Sequence, residues 1–240
     1  MLSYEDAHMD KPGKLIVIDG ADGSGKATQT KLLAERLRAT GVSVETLDFP
    51  RYDDNLVGKL IGECLAGEHG DFLHSDPYVA SVLYAADRFE AKKTIEDWLA
   101  AGKVVVLDRY ASANQIHQGG KIADDTKRAA FLAWLDRLEY SVFGIPRADL
   151  TIYLHMPTEL SIGLLKEARA GGKKSSYLAG GKKDTVELDV AYLEHAQMSA
   201  EWLMQHQPGW QKIDCAPQGV IRTREDIAEE VYSCVATIIS

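Results

Sequence analysis

A glycine-rich segment near residue 20 has the residue types and spacing of a phosphate-binding loop. Its residues are, in order, Gly20, Ala21, Asp22, Gly23, Ser24, Gly25 and Lys26, followed by Ala27 and Thr28. Glycines let backbone N–H groups converge on phosphate oxygens, and the lysine adds a cation for the outer phosphates. An apolar run precedes the segment and a helical pattern follows it, which favours a phosphate site over a simple glycine-rich turn. The segment therefore predicts binding of a nucleoside triphosphate.

The residue after Lys26 departs from the usual phosphate loop. That position normally carries Ser or Thr, whose hydroxyl helps to hold Mg²⁺, whereas here it is Ala27. Thr28 is not a simple substitute, because consecutive helical residues point about 100° apart. Either other groups hold the metal, or catalysis is impaired.

A second signal is the sequence Asp108-Arg109-Tyr110, which ends the apolar run at 103–108. A carboxylate can receive a proton or organise Mg²⁺-bound water, and an arginine can hold a phosphate with two hydrogen bonds. By itself the tripeptide is equally consistent with an ion pair at the end of a strand. Its position at a strand end, like that of the phosphate loop, favours a site.

Tyr84 and Arg88 are four residues apart in a helical stretch and therefore share a face. The ring could stack on a base while the cation contacts the edge of that base or a phosphate. A core tyrosine beside a surface ion pair explains the same spacing, so both interpretations remain open.

The segment 168–183 contains five basic residues, several glycines and no acid. A solvated loop is the simpler interpretation of such a composition. Beside a triphosphate site, however, it could be a lid that excludes water and brings a cation to the transferred phosphate. We expect Arg169 to be this cation, because of its planar fork, ahead of Lys183 and Lys182, with Lys173 and Lys174 also available. These features together predict a kinase that transfers the terminal phosphate to a small acceptor.

Short apolar runs alternate with helical patterns along the chain. We expect strands at 14–19, 42–47, 103–108, 150–155 and 210–214, and helices at 26–39, 55–66, 77–101, 124–140, 158–169, 186–206 and 223–239. Such alternation predicts an α/β fold in which parallel strands carry helices on both faces. Ligands of these sheets lie at the carboxyl ends of the strands, where both signals above begin.

Composition excludes several other classes of protein. The net charge of −9 argues against nucleic acid or an anionic membrane as the main partner. The three cysteines form no CxxC pair, which fits a reducing cytoplasm rather than a disulfide framework or a zinc site. Residues 1–12 are polar and lack the apolar core of a signal peptide, so we expect a flexible tail before a single domain at 13–240.

Five motifs, in order, resemble those of the thymidylate kinase family over residues 13–239. They are DGADGSGKATQTKLL (19–33), DFPRY (48–52), LYAADR (83–88), DRYASANQIHQG (108–119) and a basic lid at about 168–186 that leads into Asp184-Thr185-Val186-Glu187. The resemblance implies a three-layer P-loop fold with a mostly parallel five-stranded sheet. It also implies Mg²⁺, ATP as donor, dTMP as acceptor, dTDP and ADP as products, and a homodimer.

The resemblance also assigns roles to individual positions. Lys26 and the amides of the loop would hold the ATP phosphates, while Asp22 and Glu187 would approach the metal. Acceptor contacts would come from Phe49, Pro50, Arg51, Tyr52, Tyr84, Arg88, Arg109, Asn114, His117 and Gln118. Asp108 would assist at the reaction centre, and Ile213–Ala216, which contains Cys215, resembles the loop beside adenine.

Four positions depart from the family pattern. Some members carry an arginine where this chain has Gly23, so the resemblance implies that the lid supplies the catalytic cation. Ala113 replaces a usual serine, and His117 replaces an aromatic ring near the deoxyribose. Ala27 shifts the metal towards Asp22 and Glu187. Two alternatives stay open: a kinase for another pyrimidine monophosphate, such as dUMP, and a nucleotide-binding homologue with impaired catalysis.

Overall fold

A computed structural model describes residues 12–170 and 190–239, with side chains for 12–167 and 190–239. Most of the expected tail (1–12) and of the expected lid (168–186) lies outside the described residues, as does Glu187. The backbone of Arg169 belongs to the end of a helix, but its side chain is outside the described set. The division of the chain into a tail, a domain and a lid therefore stays a prediction.

Within the described residues the sheet has five strands, and each pairing between them is parallel. The strands are β1 (Lys14–Gly20), β2 (Val44–Asp48), β3 (Val104–Asp108), β4 (Leu150–His155) and β5 (Trp210–Asp214), in the order β2-β3-β1-β4-β5. The predicted fold class is confirmed, and the sheet is wholly rather than mostly parallel. β1 lies at the centre because both of its faces are apolar, as a strand covered by helices on both sides requires.

The helices are α1 (Lys26–Ala39), α2 (Leu56–Leu65), α3 (Pro77–Ala100), α4 (Ala111–Gly120), α5 (Asp125–Asp136), α6 (Thr158–Ala170), α7 (Val190–His206) and α8 (Arg224–Ile239). Alternate residues of β1 enter separate cores because successive strand residues point to opposite faces. Ile16 packs with α1 and α8, while Leu15 packs with α3. Within the described ranges, no helix is long and apolar enough to cross a membrane.

Helix α4 is absent from the sequence-based helix assignment, which was wrong here. Its buried residues include Asn114, Gln115, His117 and Gln118, so the apolar spacing that identifies a helix is missing. Tertiary contacts, rather than an apolar pattern, stabilise this helix. The hydroxyl of Ser112 donates to the fully buried Asp19 at 2.6 Å, which fixes the start of α4 against the end of β1.

The stretch expected as one helix at 124–140 is α5 followed by a π-helical turn, Arg137–Val142. Such turns are uncommon and often occur near functional sites, because they reorient the side chains that they carry. This one contains Glu139, whose exposed fraction is 0%.

Candidate active site

One cavity of about 1210 Å³ opens at the carboxyl ends of β1, β2 and β3. Its lining includes the following residues from the sequence-based prediction: Asp22, Gly23, Ser24, Gly25, Lys26, Ala27, Thr28, Phe49, Pro50, Tyr52, Tyr84, Arg88, Asp108, Arg109, Asn114, His117 and Gln118. The two sequence signals therefore meet in one space, at the sheet edge where parallel α/β folds bind ligands.

The phosphate loop passes from β1 into α1 through two glycines with positive φ. Gly23 has φ 85° and Gly25 has φ 93°, a left-handed backbone that favours glycine. Lys26 is only 7% exposed, and its ammonium donates to the Ala21 carbonyl at 2.9 Å. Burial, reinforced by the nearby charge of Arg109, lowers the pKa of Lys26. An anionic ligand would relieve both effects.

Helix α6 packs directly on this loop. The Ser161 hydroxyl donates to the carbonyl of Asp22. A Cβ atom on Gly23 would lie 2.7 Å from the Ser161 carbonyl oxygen and 3.1 Å from Cγ of Leu165. The contact leaves no room for a side chain at residue 23, so the glycine at this departure from the family pattern is dictated by α6.

Arg109 joins the phosphate loop to the rest of the cavity. Its backbone has φ 66°, and its amide donates to the Ile18 carbonyl at 2.9 Å. The guanidinium forms an ion pair with Asp22, which also lies 3.4 Å from the ammonium of Lys26. Burial acts to lower the pKa of Arg109, but the charge of Asp22, followed by other carboxylates, outweighs it and the pKa is raised. The arginine is therefore a permanent cation facing the phosphate loop.

His117 contributes an acceptor to this cluster. Its Nε2 lies 3.3 Å from Nη1 of Arg109, and its ring stacks on that of Tyr192 with an interplanar angle of 9°. A guanidinium can only donate, so Nε2 accepts and the ring is neutral with its proton on Nδ1. Burial and the charge of Arg109 lower the pKa of His117 to about 3. The histidine keeps a flat ring at this position and adds a partner for Arg109.

Two carboxylates lie next to each other at the ends of paired strands. Asp48 of β2 is in register with Asp108 of β3, and both line the cavity. Burial raises the pKa of Asp108 to about 6, although Lys26 and Arg109 act in the opposite direction. Burial also raises the pKa of Asp48.

The far end of the cavity is aromatic on one side and polar on the other. The Tyr84 ring lies 5.8 Å from that of Phe72. Arg88, one turn further along α3, is 2% exposed and forms a two-point ion pair with Glu139. Asn114 is buried beside this pair and also donates to Glu139, at 3.2 Å. The combination can accommodate a planar ring with polar groups on its edge.

Several predicted residues do not line the cavity. Arg51 instead pairs with Asp54 at 3.0 Å. Gly20 and Ala21, at the start of the phosphate loop, are also absent from the lining. Cys215 and Ala216 are buried, and the Cys215 carbonyl accepts from the amide of Arg222, which does line the cavity.

Other lining residues received no role in the sequence analysis. They include Asp48, Phe72, Lys121, Tyr192 and the segment 221–225. Glu139 lies just behind the wall and was also missed. Of these, Asp48 had a local signal, since it follows a predicted strand and opens the motif DFPRY (48–52); the others depend on tertiary packing.

The position of Gly23 gives a test of the packing on the phosphate loop. We expect Gly23→Arg to destabilise the fold rather than to supply a useful cation. A side chain at this positive φ costs about 1 kcal/mol of folding free energy. Its clash with Ser161 costs a further amount of about 1–3 kcal/mol. Gly67→Arg is the matched control, because Gly67 has φ 79° and nothing within 4 Å of its Cβ position. Urea unfolding of both variants measures the difference; equal losses would contradict the steric argument.

Known proteins share both the sequence and the fold of this chain. The family model described as thymidylate kinase matches residues 18–213. Thymidylate kinase of Mycobacterium tuberculosis (strain H37Rv) is 38% identical over 147 residues, covering 61% of this chain and 68% of that protein. Thymidylate kinase of Pseudomonas fluorescens is 30% identical over 185 residues, covering 77% of this chain and 82% of that protein.

A solved structure of thymidylate kinase from Candida albicans superposes with a TM-score of 0.70 at 21% identity. The superposition covers 94% of this chain and 92% of the other, and it demonstrates the shared fold. The family model spans well over half of the residues and includes the phosphate loop, the Asp108–Tyr110 segment, the whole of β2, β3 and β4, and parts of β1 and β5. The chain therefore belongs to the thymidylate kinase family.

Proposed function

We propose that this chain transfers the γ-phosphate of ATP to dTMP, producing dTDP and ADP for dTTP synthesis. Thymidylate kinases phosphorylate dTMP to dTDP. The observation that carries the proposal here is the single cavity in which Arg109 links the phosphate loop to an aromatic pocket. The reaction is an in-line transfer that needs two phosphate groups side by side, and the cavity offers adjacent cations for both.

The donor would occupy the phosphate loop and the first turn of α1. Loop amides and Lys26 would hold the outer phosphates of ATP, with Thr28 on the same wall. Adenosine would lie against residues 221–225, which form the wall in front of Cys215 and Ala216.

The acceptor would occupy the space between Arg109 and Tyr84. Arg109 would hold the dTMP phosphate, with Phe49, Pro50 and Tyr52 around it. The Tyr84 ring would stack on thymine, and Arg88 and Asn114 would contact the edge of the base. His117 and Gln118 would face the sugar. A phosphate oxygen of dTMP attacks the γ-phosphorus, the bond from that phosphorus to the β-phosphate oxygen breaks, and ADP leaves.

Mg²⁺ fits the chemistry of the described donor set. Over 12–170 and 190–239, no group of three or more His, Cys, Asp or Glu side chains could hold a metal alone. Mg²⁺ does not need one, because it commonly takes one or two carboxylates, several waters and the substrate phosphates. Asp22 is the described carboxylate within the phosphate loop, and Glu187 remains our second candidate. When bound, the ion would neutralise charge on the transferred phosphate.

A basic lid would complete the reaction centre. We keep Arg169 as the candidate cation, since α6, which carries it, is anchored to the phosphate loop through Ser161. A side chain at residue 23 cannot take this role in the present packing.

Activity with a panel of nucleoside monophosphates tests the function. ADP release should be measured with ATP, Mg²⁺ and dTMP, dUMP, dCMP, dAMP or dGMP. We expect turnover with dTMP to exceed that with each of the others. Tight ATP binding without turnover on any acceptor would instead support the impaired homologue that Ala27 and Ala113 suggest. Preference for dUMP or another pyrimidine nucleotide would overturn only the choice of acceptor.

Arg109→Ala should affect the acceptor more than the donor. Loss of a two-point phosphate contact is expected to raise KM for dTMP at least tenfold while KM for ATP changes less than threefold. Steady-state kinetics with each substrate varied in turn gives both constants. Lys26→Ala is the matched control and should raise KM for ATP more than KM for dTMP. Equal effects of Arg109→Ala on both constants would mean that the acceptor phosphate lies elsewhere.

The pH dependence of kcat/KM for dTMP should show two ionisations on its acidic side. Asp108 has a pKa of about 6, so it loses its charge as the pH falls below that value. The dTMP phosphate titrates in the same range, with a second pKa near 6. When both groups must be ionised, log kcat/KM rises with a slope approaching 2 at low pH.

Asp108→Asn should reduce that slope to about 1, because only the substrate then titrates, whereas Asp48→Asn should leave it near 2. A slope of 2 retained in Asp108→Asn would show that its carboxylate is not required in ionised form.

We also propose a homodimer, which the family resemblance implies. Helix α3 exposes Val79, Val82 and Phe89, at 66%, 43% and 49%, and the adjacent α2 exposes Leu56 and Leu60. A second copy of the chain would cover these apolar side chains.

Light scattering should therefore give twice the 26.4 kDa of one chain. Val82→Lys should lower the mass towards that of a monomer, whereas Met198→Lys, on the exposed side of α7, should not. A monomeric wild-type protein would refute the dimer.

A cytoplasmic location is proposed on the state of the cysteines. Cys64, Cys215 and Cys234 are all free thiols, as a reducing compartment favours. Recovery of the protein in the membrane or secreted fraction of its source cells would contradict this location.

A further inference from the structure

We propose that Glu139 is a positioning residue that orients the hydrogen-bond donor and fixes the hydrogen-bond acceptor of the base pocket. By orienting the donor of Arg88 and fixing Asn114 as acceptor, it would make the pocket select thymine over cytosine. The inference rests on the proposed function, because it concerns the base of the acceptor nucleotide. Glu139 does not line the cavity and would act only through the two residues that do.

Glu139 occupies an unusual place for a carboxylate. Its exposed fraction is 0%, and it lies on the π-helical turn, 51 residues from Arg88. Oε2 accepts from Nε of Arg88 at 3.1 Å, and Oε1 accepts both from Nη2 of Arg88 and from Nδ2 of Asn114, at 3.2 Å. A buried ionic group is costly unless it is paired, so this carboxylate and its partners depend on one another.

The contact with Glu139 orients the guanidinium of Arg88. Two of its three nitrogens face the carboxylate, which leaves Nη1 without a hydrogen-bond partner among the described residues. Arg88 lines the cavity, so this nitrogen is the group available to a ligand. Burial acts to lower the pKa of Arg88, but Glu139 outweighs it and the pKa is raised. Arg88 is therefore a donor at every pH at which the protein is folded.

The same carboxylate orients the amide of Asn114. Nδ2 donates one hydrogen to the Ser81 carbonyl at 3.1 Å and the other to Glu139. If the amide were rotated by half a turn, its oxygen would face two other acceptors. Glu139 and Ser81 therefore hold Nδ2 inwards, and Oδ1 is the group of Asn114 that has no partner in the described structure.

The pocket consequently offers one donor and one acceptor side by side. Thymine presents the complementary edge, since its O4 accepts and its N3–H donates. Cytosine presents the opposite order, because its N4 amino group donates and its N3 accepts. Both contacts would then be mismatched, and unpaired buried polar groups are what give hydrogen-bonding sites their large selectivities. Glu139 thus acts on both contacts, because it orients the donor of Arg88 and fixes the acceptor of Asn114.

The experiment compares Glu139→Gln with the wild-type protein. Glutamine keeps the size of the side chain, but its NH₂ group faces either Arg88 or Asn114, so at least one of them must reorient. We expect the ratio of kcat/KM for dTMP to that for dCMP to fall at least tenfold, mainly through KM. A merely structural role would lower the melting temperature and reduce both values alike. An unchanged ratio in a folded Glu139→Gln protein overturns the inference.

Asp136→Asn is the matched control. It removes a surface ion pair with Arg147, at 2.7 Å, from the residue that precedes the π-helical turn. Its ratio should equal that of the wild type. Glu139→Asp serves if the glutamine variant does not fold, and its shorter carboxylate should lower the ratio at least threefold. A wild-type ratio in Glu139→Asp would also contradict the inference.

Equilibrium binding separates the inference from the proposed function. Calorimetry measures the affinities for dTMP and dCMP, so it tests the hydrogen-bonding preference of the pocket whether or not phosphate is transferred. A wild-type protein that binds dTMP preferentially without turnover would contradict the function but leave the role of Glu139 standing. Equal wild-type affinities for dTMP and dCMP would overturn the inference, even in an active enzyme.

Discussion

The ion pair between Asp22 and Arg109 holds the two halves of the site in one arrangement. Asp22 lies in the loop after β1 and Arg109 follows β3, so two neighbouring parallel strands deliver opposite charges to the same sheet edge. Each charge would be costly to bury alone. Together with Lys26 they form a cluster of one carboxylate and two cations, so its net charge is positive before a ligand binds. A chain with a net charge of −9 can therefore bind two highly anionic nucleotides, because the positive potential is local.

A second buried ion pair, between Arg88 and Glu139, lies at the other end of the cavity. Arg88 is buried more deeply than Arg109, and its partner Glu139 is excluded from solvent altogether. In both pairs the carboxylate limits the orientations that the guanidinium can adopt. The protein thus sets the direction of its donors before a ligand arrives, which spares the ligand the cost of ordering them. The same arrangement, a carboxylate that orients an arginine lining the cavity, therefore occurs twice, at Arg88 and at Arg109.

The sequence predicted the frame of the site better than its walls. Strand ends are local features, so Asp22, Lys26, Asp108 and Arg109 could be placed at one edge from apolar runs alone. Helix α4 could not, since its buried face carries Asn114, His117 and Gln118, and hydrophobic periodicity cannot detect a helix that buries polar groups. Glu139 was missed for a related reason. Its sequence neighbours resemble an ordinary helix, and only the π-helical turn and the contact with Arg88 distinguish it from a surface carboxylate.

The departures from the family pattern are more consistent with a working site than with a decayed one. Gly23 is required by the packing of α6, and His117 replaces one flat ring with another that also accepts from Arg109. Ala27 is exposed and lines the cavity, so a hydroxyl at this position is not part of the buried core. Burying Lys26 and two arginines costs free energy that only their carboxylate partners and bound phosphate offset. A chain released from catalysis could replace these ion pairs as whole units by apolar residues without loss of stability. Their presence favours a metal held away from residue 27 over a site without chemistry.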